Sequence, residues 1–505
     1  MNCINKEQSI LNKLFSQSFS YFIATAVGAI SHFVTFPIYT RIFSVSEYGI
    51  LGMITVTIST LLTVSKLGLG NSAVRFYEEC RSEKEGFVLS QFYSTCFWAT
   101  VGSGCSLMFF SFAILLILND TFFSNTISNL LYLGLIIVVL RTIIIILQSF
   151  FRAEQKATLF SIIQISSMYI PLLFGLIFVL FFMKNLTGFF LGQIIAFSTI
   201  LTFLLLMQIK RIDLRIEKFS YDFLKKIIKF GIPLLGLEFF NHILSFADRY
   251  IIQYYCGAEL LGIYSVGYNL SSYLGNLFLI PISMALTPVL METWSKKGKS
   301  ETQKFLTNVL KYYMLGILPV TIGFIAVSQN LIPVLASSKY ISSYKVVPII
   351  LPGIVFFTLS YLFNAGLIIE KKTSKIIKYA MIASLINLSL NYLLIPRIGI
   401  TGAAYATLFS YFFFFTLIVR GSFTYLPFKI PYLFIIKYLI YSGIMYFIVN
   451  SIHLYRYKIL TCLLQVVVGI FVYCALILTF EVEIRSSLFK KIKAKCFGNQ
   501  GSYCL

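Results

Sequence analysis

Charge is scarce in this chain. Asp, Glu, Lys and Arg make up 12% of its residues, where soluble domains carry about 25%. Acids are scarcer than bases, and the only aspartates are Asp120, Asp213, Asp222 and Asp248. His32, His242 and His453 are the only histidines, too dispersed for a metal cluster. The nine cysteines never fall at a C-x-x-C or zinc spacing, so no metal, cofactor or disulfide framework is indicated. No phosphate-cradling G-x-x-x-x-G-K-[ST] loop is present, so this chain does not hydrolyse ATP by that route. The G-x-S-x-G and H-E-x-x-H signatures of hydrolases are missing as well.

Apolar residues fill the space that charge leaves. They make up 58% of the 505 residues, and the mean hydropathy is +0.85. Each crossing of a bilayer needs about 20 apolar residues. Apolar runs predict about 14 spans, near 16–40, 48–69, 88–118, 130–151, 159–182, 187–209, 231–255, 262–290, 305–328, 344–369, 376–395, 402–419, 432–450 and 459–480. The run from Ser16 to Tyr39 is too long for a signal peptide and is read as a retained first span. The fold class is therefore an all-α polytopic membrane protein.

A net charge of +22 would suggest nucleic acid in a soluble protein, but in a membrane protein Lys and Arg mark cytoplasmic loops. With 14 spans, roughly 29 basic residues fall on one side and about 7 on the other, which predicts both termini in the cytoplasm. No loop is long enough to fold as a soluble domain, and Asp120 is the only aspartate in an outer loop. A membrane enzyme of polysaccharide assembly would need a larger outer loop with catalytic carboxylates.

The chain divides near its middle, at the basic segment 210–230. Its apolar positions Ile212, Leu214, Ile216, Phe219, Phe223, Leu224, Ile227 and Ile228 predict an amphipathic surface helix, with anionic membrane lipid as its partner. The resulting organisation is an N-terminal lobe over 1–209, a linker over 210–230 and a C-terminal lobe over 231–419. Two further spans occupy 420–480 and a basic tail 481–505. The halves echo each other: Glu47 precedes Gly49 after span 1, and Glu259 precedes Gly262 after span 7. A duplicated six-helix lobe would produce such an echo.

Ionisable residues inside spans are costly unless they face protein or water. Span 7 carries Glu238, Asn241, His242, Ser245, Asp248 and Arg249 at steps of three and four, which stacks them on one helix face. Glu238 and His242, one turn apart, are candidates to hold a coupling proton. Asp248 and Arg249 are adjacent and are expected not to face each other along the helix. Either they pair with other helices or they serve cargo or ion. Lys66 in span 2 and Arg141 in span 4 are also embedded, whereas spans 1 to 6 hold no embedded carboxylate. That balance suits an anionic cargo and argues against a carrier of organic cations. The Ser, Thr and Asn stripes of spans 2, 8 and 11 fit ordinary helix–helix hydrogen bonding as well as they fit a cavity.

Three segments together resemble a known family: PIYTRIFSVSEYG (Pro37 to Gly49), KLGLGNSAVRFY (Lys66 to Tyr77), and GIPLL…ADRYII…GIYSVGY between Gly231 and Tyr268. They are similar to the polysaccharide flippases, the O-antigen and teichuronic-acid exporters of the multidrug/oligosaccharidyl-lipid/polysaccharide exporter superfamily. The resemblance implies two six-helix lobes in a V shape around a central cavity, plus two C-terminal helices. It implies that an undecaprenyl-diphosphate-linked glycan is turned from the inner to the outer leaflet of a bacterial plasma membrane, by alternating access driven by an ion gradient. A polysaccharide polymerase and a chain-length regulator would be further partners. By motif position, Arg41, Arg75 and Arg249 would contact the cargo's diphosphate or acidic sugars and Asp248 would couple to the ion. Arg141, Lys66, Glu238 and His242 join these sets by depth and charge alone. Alternatives within the superfamily are a drug or cation antiporter and a peptidoglycan-precursor flippase.

Overall fold

In the computed structural model of the chain, residues 27–28, 31, 33–82, 88–122, 124–452, 458–481 and 485 are described. The expected start of the first span, the histidines His32 and His453, and most of the basic tail lie outside the described residues.

A capping box starts the first long crossing. Ser44 Oγ accepts from the Glu47 N–H at 3.2 Å, and the Ser44 N–H donates to Glu47 Oε2 at 2.9 Å. Two of the donors left open at a helix start are thereby satisfied. The helix before it, α1, ends at residue 42. Next come α2 (Val45–Ser65), α3 (Leu69–Arg81), α4 (Leu89–Phe122), α5 (Asn125–Ala153), α6 (Ala157–Ile177) and α7 (Leu186–Ile209). After the linker follow α8 (Tyr221–Phe246), α9 (Asp248–Leu335), α10 (Val347–Phe363), α11 (Ala365–Ile369) and α12 (Thr373–Ile398). The chain closes with α13 (Ile400–Phe423), α14 (Tyr432–Asn450) and α15 (Lys458–Phe480). No strand occurs among the described residues.

Twelve helical stretches among the described residues are long and apolar enough to cross a membrane, and the protein is a multi-pass membrane protein. Two of these stretches, 59 and 50 residues long, far exceed the ~20 residues of one crossing. The 88-residue α9 is interrupted where Gly257 and Gly298 adopt φ of 82° and 75°, a region that favours glycine. Tyr264 reaches back to hydrogen-bond Asp248, and the Phe278 ring packs edge-on at 6.2 Å from Tyr313. The chain therefore doubles back at both glycines, and α8 with α9 supplies the three crossings expected there.

The linker departs from the sequence expectation. Residues 210–220 form no surface helix; they hold only a three-residue turn, Ile216–Lys218. Asp213 explains this. Its Oδ1 accepts from the Arg215 N–H at 3.1 Å while its two oxygens grip the Arg215 guanidinium at 3.0 and 2.8 Å. Local side-chain bonds of this kind compete with helical ones, and they hold the Asp213 carboxyl down at about 2. Span 3 provides a second anchor: Ser94 Oγ and Trp98 Nε1 donate to the carbonyls of Arg215 and Leu214 at 2.7 and 2.8 Å. Ser220 then caps α8 by accepting from the Phe223 N–H, so the expected span 7 begins ten residues early, at Tyr221.

Glu154, just past α5, is the hub of the same region. It accepts from Tyr93 at 2.8 Å, Lys156 at 2.5 Å and Arg211 of the linker at 2.9 Å. Burial opposes its ionisation, but these donors hold its carboxyl below the usual carboxylate range.

The chain divides into two compact units. One comprises the described residues of Met1–Ser265 and Thr373–Ser410, the other Val266–Lys372 and those of Tyr411–Leu505. Phe92, Tyr93, Phe150, Phe76 and Phe223 interlock in the first unit, with ring centroids 5.0 to 6.4 Å apart. Aromatic pairs add roughly 0.5–1.5 kcal/mol each beyond area burial. In the second unit, Tyr473 donates to the Leu315 carbonyl at 2.9 Å and Asn330 to Gln465 at 3.1 Å, which fastens α15 to α9. The two glycines of the sequence echo touch within the first unit. A Cβ on Gly262 would lie 2.1 Å from the Val45 carbonyl oxygen, and one on Gly49 would lie 2.3 Å from that of Ala258.

Candidate functional site

Span 2 is broken, and the break makes a pocket. Lys66 ends α2, Leu67 and Gly68 turn left-handed with φ of 48° and 70°, and α3 restarts at Leu69. Backbone contact with α8 demands the glycines. A Cβ on Gly68 would meet the Gly231 carbonyl oxygen at 2.4 Å, and one on Gly231 would meet that of Leu67 at 2.4 Å. Ser72 Oγ donates to the Ile227 carbonyl at 3.0 Å, one turn further along the same seam. Glu238 lies seven residues beyond Gly231, two turns along the same face of α8. It faces Lys66, with Nζ to Oε2 at 3.6 Å and side-chain exposures of 29% and 47%.

These groups wall a pocket of about 200 Å³ together with Gly68, Gly70, Asn71 and residues of α5. Ile145, Gln148, Ser149 and Arg152 enter it at steps of three and four, which is one stripe of a helix. Gln148 Nε2 donates to the Phe160 carbonyl at 3.2 Å, so α6 helps to hold the stripe in place. Arg152 has no ion-pair partner among the described residues. Lys66 and Arg152 against Glu238 leave one positive charge, to which the N-terminus of α3 adds its partial charge. The pocket suits a small anionic group flanked by hydroxyls, which Asn71 and Gln148 can bond. At this size it is smaller than sites for drug-sized ligands, which run ~300–1,000 Å³. Among the described residues no cluster of His, Cys, Asp or Glu could hold a metal.

Of the residues singled out from sequence, Lys66 and Glu238 meet in this pocket. His242 follows one turn along α8, and its Nδ1 is buried without a hydrogen-bond partner. Asp248 and Arg249 lie elsewhere and correct an expectation, because they do face each other. The helix is interrupted at Ala247 between α8 and α9, and the Arg249 side chain folds back so that Nη1 lies 3.4 Å from Asp248 Oδ1. Tyr264 donates to the other oxygen, Phe246 covers the guanidinium at 4.9 Å, and both charged residues are 2% exposed.

Arg41 is exposed and donates to the Pro37 carbonyl at 3.0 Å. Arg75 pairs with Glu79 at 2.7 Å, and Glu79 also takes Lys226 at 3.1 Å. Arg141 rests on the Phe197 ring of α7 at 5.5 Å. None of these three lines the pocket. Arg152, Gln148, Ser149 and Asn71 do line it and were missed. In the sequence Arg152 counts only among the basic residues that mark sidedness, although its three- and four-residue steps from Gln148 and Ser149 are visible there.

The fold is shared with all-α membrane proteins of known structure. It is similar to the solved structure of lipid II flippase MurJ, with a TM-score of 0.75 and 16% identity, over 93% of this chain and 99% of that one. A multidrug resistance MATE family transporter gives a TM-score of 0.59 at 13% identity, over 78% of this chain and 97% of the other. The family model for polysaccharide biosynthesis proteins matches residues 38–345, and the chain belongs to that family. It is 27% identical over 201 residues to the uncharacterized membrane protein MJ1068 of Methanocaldococcus jannaschii, 38% of either chain. It is 32% identical over 127 residues to the Man(5)GlcNAc(2)-PP-dolichol translocation protein RFT1 of Candida glabrata, covering 25% of this chain and 23% of that protein. The matches thus span well under half the length of these two curated relatives.

Proposed function

We propose that this protein flips a lipid-linked oligosaccharide, carried on undecaprenyl diphosphate, from the inner to the outer leaflet of a bacterial plasma membrane. The observation that carries this reading is the pocket at the break in span 2, where Lys66 and Arg152 offer two cations to an anionic head group. Family membership and a relative that translocates a diphosphate-linked glycan on dolichol support the same cargo class. Both termini face the cytoplasm in this reading, as the charge bias implies, and the lobes alternate access with an ion gradient as the driving force. Of the residues carried over, Lys66 binds cargo with Arg152 as a newly added partner, while Arg41, Arg75 and Arg141 meet it along its path. Glu238 and His242 remain the groups placed to respond to cargo or ion.

Deletion of the gene, followed by a leaflet-specific probe for the lipid-linked glycan in spheroplasts, tests the reading. Intact repeat units accumulating on the inner leaflet are the expected result. Unpolymerised units on the outer leaflet would reassign the protein to glycan assembly. Unchanged glycan would revive the cation antiporter, and accumulation of peptidoglycan precursor would move the cargo to the lipid whose flippase shares this fold.

A further inference from the structure

We propose that Glu238 is a resident anion that occupies Lys66 until the diphosphate of the cargo displaces it, so that the pocket selects two phosphates over one. The inference rests on the cargo class given above and adds the carboxylate that a cargo must displace, with Arg152 as the cation that rewards a second phosphate.

Three observations lead to it. First, the Lys66–Glu238 contact of 3.6 Å is longer than the 2.7–3.2 Å of a direct hydrogen bond. With 29% and 47% of the side chains exposed, the partners can separate without opening a sealed core. Second, Arg152 lines the same pocket and has no ion pair among the described residues. Third, a displaced carboxylate has somewhere to go. His242 is one helical turn beyond Glu238, a spacing at which side chains meet, and its buried Nδ1 lacks a hydrogen-bond partner. As an N–H donor, that nitrogen receives the Glu238 carboxylate when Lys66 releases it.

Charge then decides selectivity. At rest the pocket holds two cations and one carboxylate. A phosphodiester brings one negative charge, which merely replaces the carboxylate on Lys66 and leaves Glu238 displaced in an apolar span, an unfavourable place for it. A diphosphate diester brings two, one for Lys66 and one for Arg152, and the second interaction offsets the displacement. No bond is made or broken.

The test uses the full-length protein in lipid nanodiscs and two probes: polyprenyl-diphosphate-linked and polyprenyl-phosphate-linked N-acetylglucosamine. Wild type should prefer the diphosphate probe by about tenfold or more. Arg152→Met should narrow that preference to within about threefold, and Glu238→Gln should bind both probes more tightly by the same factor, about tenfold, since the displacement is removed for each. In a Lys66→Met background the same substitution should change neither. Unchanged affinity for both probes in Glu238→Gln, or weaker binding of both probes by a variant that still elutes as a monodisperse species, would overturn the displacement. Failure of wild type to bind either probe would instead overturn the cargo assignment and the displacement with it. Inorganic diphosphate separates the sources of the anion: competition only in large molar excess keeps the lipid-borne group, and competition at equal concentration overturns it.

Discussion

Two ion pairs lie ten residues apart along α8 and the start of α9, and they contrast in every respect but distance. Lys66–Glu238 at 3.6 Å sits half-open on a pocket, while Asp248–Arg249 at 3.4 Å is closed on all sides with Tyr264 and Phe246. The open pair joins residues far apart in the chain; the closed pair joins sequence neighbours. Enclosure, not separation, distinguishes a pair that can exchange partners from one that holds the fold. A sealed charge that loses its counterion has no water to turn to, whereas a half-exposed one does.

Breaking the closed pair should have the largest effect. Asp248→Ala leaves the Arg249 guanidinium buried and uncompensated, a loss on the order of 3–5 kcal/mol. Thermal unfolding in detergent and the yield of monodisperse protein should both fall sharply. An Asp248→Ala variant that folds normally but fails to transport would place the pair in the transport path after all.

Breaking the open pair should do the reverse. Lys66→Met should change stability by no more than about 1 kcal/mol, while transport of the lipid-linked glycan falls at least tenfold in reconstituted vesicles. A stable variant that transports at the wild-type rate would remove the pocket from the mechanism.

The Glu154 hub is an intermediate case and should respond least. Its carboxyl is held below the ordinary range, so its stabilisation is present above the unfolded value near 4.3 and is lost as pH falls through the folded value. Wild type should therefore lose up to about 1 kcal/mol relative to Glu154→Gln on acidification from pH 6 to pH 3, read as converging melting temperatures. A gap between the two that widens on acidification would contradict the assignment.

Much of the architecture was legible in the sequence because it depends on composition and local pattern. Apolar runs mark crossings wherever they occur, and Ser44 three residues before Glu47 is a helix start in any context. The first half of the linker departs from its apolar pattern for an equally local reason, while the second half, from Tyr221, is helical. Its apolar spacing suggested a helix, but Asp213 bonds its own neighbourhood and Ser94, Thr95 and Trp98 capture the backbone from another span. The pocket is half-visible: Lys66 stands out as an embedded cation, while Arg152 looks like one more basic residue on the cytoplasmic side. Leu67 and Gly68 carried no signal of a break without the α8 backbone pressed against them.

By itself, the sequence determined the class of protein, the crossings and the scarcity of embedded acids beside embedded bases. These follow from how each segment partitions between water and lipid, a property of the segment alone. Only the tertiary structure decided which charge meets which. Lys66 finds Glu238 because Gly68 and Gly231 let two backbones touch, and Arg249 finds Asp248 because its side chain folds back at the interruption between α8 and α9. Such pairings depend on contacts between distant segments or on a single broken turn, and neither leaves a periodic trace in the chain.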